Sequence, residues 1–340
     1  MSVHHDGGAT DVHIHVTPPT LLASEGAHGA WRPTLVRDGA GRQERVELEG
    51  RPMRSIVKEL SDLEIILAEN LRRGIDRLVI SPWVSTLPLE LDPGAAAEIC
   101  RVQNAALAQA ANAYPGRLFA FGAVPLQDAA IAAEVLDEAL GLGLIGAEIT
   151  PSVANRWLGD PALEPFFAAA AERRAALFVH PGTHGLGLDV YGDYYLWNAV
   201  ANPVETASAA AHLIMAGTLE RHPDLVVVLA HGGGVLPSLV GRLERAFAVR
   251  GEARRALREG PRASFSRLHF DTVTHDRAVL AALVAAVGAD HVLLGSDHPF
   301  DMGLDDPVGE VRALGLSPKD TALVLEENAT ALVVGVRRSR

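Results

Sequence analysis

Asp11-Val-His-Ile-His-Val16 is the stretch on which the reading of this chain turns. Apolar Val12, Ile14 and Val16 alternate with His13 and His15, which is the period of a β-strand, so both imidazoles leave the same face from successive levels. Two imidazoles so placed suit one divalent ion. Three later runs end in the same way: Ala176-Leu-Phe-Val-His180 before Pro-Gly, Val226-Val-Val-Leu-Ala-His231 before Gly232 to Gly234, and Val292-Leu-Leu-Gly-Ser-Asp297. Each places a metal-ligating type of side chain where an apolar strand gives way to a loop, and together they describe one site at the mouth of a barrel.

Working outward, eight apolar runs read as strands: 11–16, 77–83, 118–125, 144–150, 176–180, 225–231, 268–274 and 292–297. Amphipathic segments separate them. Residues 55–73 place Ile56, Leu60, Leu63, Leu67 and Leu71 at helical spacing and stop at Gly74; Asp160-Pro161 is a cap followed by a first-turn proline; 203–221 and 235–249 read as further helices. Strands alternating with helices imply parallel pairing, and eight such units predict an α/β fold of the (β/α)8 TIM-barrel type. One stretch departs from the alternation. Residues 17–54 carry turn signals and short alternating pieces but no helix, and they predict an inserted flap after the first strand, placed over the active face. The chain is read as one domain, 1–340, with 17–54 as an insertion within it.

The bulk properties narrow the function. The 340 residues are 48% hydrophobic and 21% charged, ordinary globular composition, and no apolar run is long enough to cross a bilayer. Residues 1–10 are polar and show no secretory signal, and the single Cys100 leaves no internal disulfide, so a soluble protein of the reducing cytoplasm is expected. A net charge of −12, with basic residues clustered only in the tail Arg337-Arg338-Ser-Arg340, argues against nucleic acid and anionic membrane as partners. An acidic protein that takes a carboxylate substrate must attract it through local arginines.

Residue by residue, His13, His15, His180 and Asp297 form the expected ligand set. A carboxylate on a buried strand end is costly unless paired or metal-bound, and three neutral nitrogens with one carboxylate leave a net charge of about +1 around a divalent ion, a set suited to Zn²⁺. His231 is either a fifth ligand or the general base beside the metal, and the base is preferred because the other four residues already satisfy zinc. Asp271, on the seventh strand, either orients a ligand histidine or caps the strand end. The fourth strand holds Glu148 and no lysine that could be carbamylated to bridge two metals, so a mononuclear site is the simpler expectation.

These residues resemble the amidohydrolase superfamily, and within it the branch of aminocarboxymuconate-semialdehyde decarboxylase and related aromatic-acid decarboxylases. The likeness covers nearly the whole chain and includes His13-x-His15, Val124-Pro-Leu-Gln-Asp128, His180-Pro181, Pro203-Val-Glu-Thr206, His231-Gly-Gly-Gly234 with Gly241-Arg242, Gly295-Ser-Asp297 with Pro299-Phe300, and Glu327-Asn328-Ala329. The resemblance implies a distorted barrel with one Zn²⁺, or another divalent ion such as Mn²⁺, held by His13, His15, His180 and Asp297, with His231 beside it. It implies non-oxidative decarboxylation of a small aromatic or muconate-type carboxylic acid. Arg51 on the flap and Arg242 on the helix after His231 would clamp the substrate carboxylate, Arg242 reaching across a homodimer to the neighbouring site. Trp83, Phe300 and Tyr194, the last within the distinctive segment 191–197, are the expected pocket-wall residues. The same barrel also resembles hydrolases and hydratases acting on amides, lactones or ring-cleavage acids, and a metal-free binding barrel is the reading from a different class.

Overall fold

The structure, a computed structural model, describes residues 8–18, 33–37, 43–48, 51–52, 60–182 and 188–338. Nine short strands build the barrel wall: β1 (Ala9–Val16), β5 (Ile75–Pro82), β6 (Leu118–Ala120), β7 (Gly122–Ala123), β8 (Gly146–Ile149), β11 (Ala176–Val179), β12 (Val226–Leu229), β13 (His269–Asp271) and β14 (Val292–Leu293). Three flap strands, β2 (Pro33–Arg37), β3 (Gln43–Leu48) and β4 (Arg51–Pro52), and a hairpin, β9 (Ser152–Val153) with β10 (Arg156–Trp157), lie between them in sequence. Pairing in the wall is parallel throughout, in the order β1-β5-β6 and β7-β8-β11-β12-β13-β14.

Two joints close these arcs into a barrel. The third wall strand is broken at Phe121, whose N–H donates to Ile80 O at 2.9 Å, while Ile145 N–H donates to Ala120 O at 2.9 Å, so β6 and β7 are two halves of one strand leaning on different neighbours. At the other joint, Val12 N–H donates to Leu294 O, Asp297 N–H to His13 O and His15 N–H to His298 O, at 2.9 to 3.0 Å, which lays the chain after β14 along β1. The eight expected strands are therefore present, the third in two pieces, and the fold is a distorted TIM barrel. Its strands are buried on both faces, which explains why they read as continuous apolar runs.

The helices between strands start where an aspartate accepts their first free N–H groups: Asp62, Asp92, Asp128 and Asp276 each receive two. Two expected helices are interrupted. The segment 55–73 restarts at Asp62, whose carboxylate caps a separate helix Leu63–Arg72; residues 53–59 lie outside the described part. The segment 203–221 divides into Asn202–Met215 and Thr218–Arg221 at Gly217, which takes φ +71° and lies so close to Ala256 that a Cβ would stand 2.5 Å from its carbonyl oxygen. The insertion after β1 contains the antiparallel sheet β2-β3-β4. Among the described residues no helix is long and apolar enough to cross a membrane.

Candidate metal centre

Every wall strand points its C-terminal end the same way, so residues at or just past those ends share one rim. His13 and His15 come from β1, His180 follows β11, His231 follows β12, Asp271 ends β13, and Asp297 follows β14. Ligand atoms of His13, His180, His231 and Asp297 all lie within 4.8 Å of one another. His15 joins them: its Nε2 is 3.5 Å from Asp297 Oδ1, and its ring centroid is 4.5 Å from that of His180. Asp297 is the common neighbour, with Oδ1 3.2 Å from His13 Nε2 and Oδ2 3.5 Å from His231 Nε2. The structure thus brings together all five residues that the sequence nominated for the centre.

Each imidazole is aimed by a contact behind it. His13 Nδ1 lies 2.5 Å from Asp271 Oδ2 and His15 Nδ1 lies 3.2 Å from Pro82 O, so these nitrogens are the protonated ones and each Nε2 turns its lone pair inward. The inward atoms have no hydrogen-bond partner among the described residues: His13 Nε2, His15 Nε2, both nitrogens of His180 and Asp297 Oδ1 are buried and unsatisfied. A cluster of buried acceptors with nothing to donate to them is expensive by itself and fits a cation at its centre. Three or four neutral nitrogens and one carboxylate oxygen form a donor set that zinc and its neighbours in the first transition row take readily.

The electrostatics agree with the geometry. Burial alone would drive the carboxyl of Asp297 up, yet the charge and hydrogen bond of His13, with the hydrogen bonds of His15 and His231, hold it well below the usual carboxylate range. His13 is raised to about 10 although burial opposes this, because Asp297 and Asp271 flank it. Burial and repulsion from His15, His13 and His231 push His180 well below its ordinary value, leaving it neutral. Two buried aspartates therefore pull one positive charge into the centre, which a proton on His13 supplies in part and a divalent ion supplies more fully. Phe178 lies under His13, centroids 4.9 Å apart, and Phe121 stacks beneath Phe178 at 5.5 Å, so the floor is apolar and keeps these interactions strong.

Two residues of the centre sit in the left-handed backbone region: His231 at φ +57° and Asp297 at φ +59°. Such conformations cost about 1–3 kcal/mol each and persist only where neighbours fix them. Asp271 fixes the first, since its carboxylate accepts the N–H of His231 at 3.0 Å, of Gly232 at 2.7 Å and of Val273 at 3.0 Å. Asp11 supports the second: its Oδ1 accepts the N–H of His13 at 2.9 Å and of Ser296 at 3.1 Å, and burial pushes its carboxyl up to about 6. Nothing in the alternation of the first strand assigns Asp11 this supporting role. Glu148, the acidic residue of the fourth strand, is fully buried 3.7 Å from His15 Nδ1, and burial pushes it up to about 7.

His231 is the member of the cluster that meets the outside, with its side chain 14% exposed. It and Asp297 open into a cavity of 560 Å³ lined also by Asn198, Asn202, Ser238, Thr274 and His275 among apolar residues. Asn198, Asn202, Ser238 and Thr274 were not nominated from the sequence, where nothing in their spacing distinguishes them from loop residues, and His275, near the rim in sequence, reads there as a solvated loop position. Trp83 and Phe300 stand together, 6.2 Å between ring centroids, and Phe300 flanks His15 at 5.2 Å. Tyr194 is 91% exposed, and the neighbouring Tyr195 hydroxyl donates to Asp301 at 3.0 Å. Arg242 is exposed on the helix Leu236–Val249, while Arg51 begins β4 and its side chain lies outside the described part. Among the described residues the cavity lining carries no lysine or arginine.

A sequence profile described as amidohydrolase matches residues 10–333. A 2-amino-3-carboxymuconate-6-semialdehyde decarboxylase of Dictyostelium discoideum is 30% identical over 298 residues, covering 86% of this chain and 82% of the relative. A 6-methylsalicylic acid decarboxylase of Aspergillus aculeatus is 31% identical over 294 residues, covering 82% and 87%. Among solved structures, 5-carboxyvanillate decarboxylase of Sphingomonas paucimobilis superposes with a TM-score of 0.82 at 24% identity, over 96% of this chain and 99% of that one.

Proposed function

Since the chain belongs to the amidohydrolase family, most of its length matching at once the family profile and relatives that are decarboxylases, we propose that it is a metal-dependent, non-oxidative decarboxylase of a small aromatic or muconate-type carboxylic acid. The observation that carries this reading is the convergence of His13, His180, His231 and Asp297 at one rim, with His15 alongside, where His231 and Asp297 open into one cavity. His13, His15, His180 and Asp297 would hold the ion, zinc by the chemistry of the donors and Mn²⁺ as the alternative. When bound it supplies Lewis acidity, drawing electron density from the substrate's oxygens and acidifying water from about 15.7 toward 7.

The chain's own residues account for the rest of the reaction. His231 is the most accessible of the cluster and has a buried Nδ1 without a partner, so its ring is free to carry a proton between Nε2 and a substrate carbon at the cavity end. In the decarboxylation, protonated His231 would give its proton to the carbon bearing the carboxylate, a π pair of the conjugated substrate forming the new C–H bond; the bond from that carbon to the carboxylate then breaks, its electron pair restores the π system, and carbon dioxide leaves. A phenol or enamine in conjugation provides the electron sink, so no redox cofactor takes part. Asp271 keeps His13 and the His231 backbone in place, and Arg51 and the partner's copy of residue 242 are the proposed clamps for the carboxylate, in a homodimer.

The test is direct. Protein reconstituted with Zn²⁺ or Mn²⁺ is incubated with a panel of 2-hydroxyarene carboxylates and muconate-type acids, and carbon dioxide is measured. Release that depends on metal is the expected result. Hydrolysis of an amide or lactone panel without gas from any acid would move the site to the hydrolase reading, and failure to take up near-stoichiometric metal would move it to a binding barrel.

A further inference from the structure

Beyond the metal-binding cluster and His231, one side chain lining the cavity lacks a partner among the described residues. Asn202 is 8% exposed, lines the same cavity as His231 and Asp297, and its Oδ1 is buried without a hydrogen bond among the described residues. An enclosed amide oxygen with nothing to accept costs about 1–3 kcal/mol, a cost recovered when a ligand donates to it. The other polar lining residues have outlets of their own. Thr274 Oγ1 donates to Asp276 O at 3.1 Å, and Ser238 and His275 are exposed to water.

The chain around Asn202 is built to hold it there. A π-turn, Trp197–Ala201, runs directly into the helix that begins at Asn202, and such turns recur at functional sites because they re-aim the residues that follow. Gly234, at φ +59°, packs so closely on Pro203 that a Cβ would stand 1.9 Å from its carbonyl oxygen. That close approach locks the start of the helix against the glycine turn of His231, so the carboxamide and the imidazole keep one relative position in one cavity. Val273, Val235, Pro203, Leu283 and Met302 supply the apolar walls between the polar groups, surfaces suited to a flat hydrocarbon body.

We infer that the carboxamide of Asn202 accepts a hydrogen bond from a ring hydroxyl of the substrate, which makes this chain selective for an aromatic acid that carries that hydroxyl over one that lacks it. The inference rests on the decarboxylase reading above and narrows its substrate class. A neutral donor is the group required, since the described lining offers no lysine or arginine to balance a second carboxylate at that end. A buried acceptor discriminates strongly because the analogue without the donor leaves it unsatisfied.

The experiment measures binding of 2-hydroxybenzoate and of the 2,3-, 2,4-, 2,5- and 2,6-dihydroxybenzoates to metal-loaded protein by calorimetry, in wild type, Asn202→Leu and Asn202→Asp, with metal content and thermal midpoint recorded for each. At least one dihydroxy isomer should bind wild type roughly tenfold tighter than 2-hydroxybenzoate. That advantage should vanish in Asn202→Leu while 2-hydroxybenzoate binding holds, and should persist in Asn202→Asp, which keeps an acceptor. An unchanged preference in Asn202→Leu, an equal loss for every acid, or no preference in wild type would overturn the assignment and leave the decarboxylase reading standing. If no acid in the panel bound metal-loaded wild type, the assignment would fall together with the aromatic-acid half of the decarboxylase reading, and only the muconate-type half would stand.

Discussion

Oδ2 of Asp271 lies 2.5 Å from Nδ1 of His13 and also accepts the backbone N–H of His231, so one buried carboxylate orients a proposed metal ligand and the proposed proton carrier at once. Its pKa is held below the ordinary aspartate value despite burial, through the hydrogen bond and charge of His13 and the charge of His231. Few positions tie the binding half of a site so directly to the reacting half.

Replacing this carboxylate should therefore disturb both halves. Asp271→Asn keeps the shape but removes the charge and presents an NH2 where acceptors are needed. Metal affinity is expected to fall about 10–100-fold, the usual effect of losing the partner behind a ligand histidine. Competition against a chromophoric chelator measures it. Wild-type affinity in the variant would mean that Asp271 serves the strand end alone.

His231 divides the other way. His231→Ala should leave bound metal near the wild-type stoichiometry and reduce turnover by about 10²–10⁴-fold, the range supplied by a positioned acid or base. Elemental analysis paired with carbon dioxide release separates the two quantities. A variant that lost its metal together with its activity would reassign His231 as a required ligand, a role the 4.8 Å clustering leaves geometrically open.

Much of this was legible in the residues because chemistry and periodicity coincide. In β1 the alternation that makes a strand also faces His13 and His15 the same way, and the apolar runs ending in His180, His231 and Asp297 mark strand ends before any coordinates are known. The breaks were less legible. Phe121 interrupts a run that reads as one strand, and the reason is a switch of hydrogen-bond partners from Ile80 to a different neighbour, which only closure of the barrel decides. Gly217 sits inside a helical pattern and ends the helix through contact with Ala256, 39 residues further along the chain and invisible to local propensity. Asn202 likewise looks like an ordinary helix start; its significance lies in what fails to contact it.

The clamp role of Arg242 has a stoichiometric signature. Mixing inactive His231→Ala and Arg242→Ala proteins should restore up to about a quarter of the wild-type rate if Arg242 serves the neighbouring site, because half of randomly mixed dimers are hybrids and each hybrid holds one intact site. Arg242 is exposed on its own chain and makes no hydrogen bond or ion pair among the described residues, which suits a group that acts elsewhere. No restoration after verified subunit exchange would confine the arginine to its own subunit.

Gly234 is the position where the smallest change should do the most harm to folding. A methyl group there would lie 1.9 Å from Pro203 O on a backbone at φ +59°, and the atom in its way is backbone rather than a movable side chain. Gly234→Ala should lose more than about 3 kcal/mol of stability, at the upper end of single-residue effects. Urea denaturation of the metal-loaded protein gives the number. A loss below about 1 kcal/mol would show that the His231 turn can separate from the helix start without penalty.

Acid sensitivity has a source away from the metal. Burial, and next the charge of His291, lowers the pKa of His269 from 6.5 to about 4. The unfolded chain takes up a proton near pH 6.5 that the folded chain refuses until about 4, so the unfolded state binds more protons between these values. The contribution of His269 is therefore fully present above pH 6.5 and is lost as pH falls toward 4, an effect on the order of 1–3 kcal/mol. His269→Gln, with no titrating ring, should flatten the fall of the urea midpoint between pH 7 and pH 4.5 relative to wild type. Parallel curves for the two proteins would place the acid sensitivity at other groups.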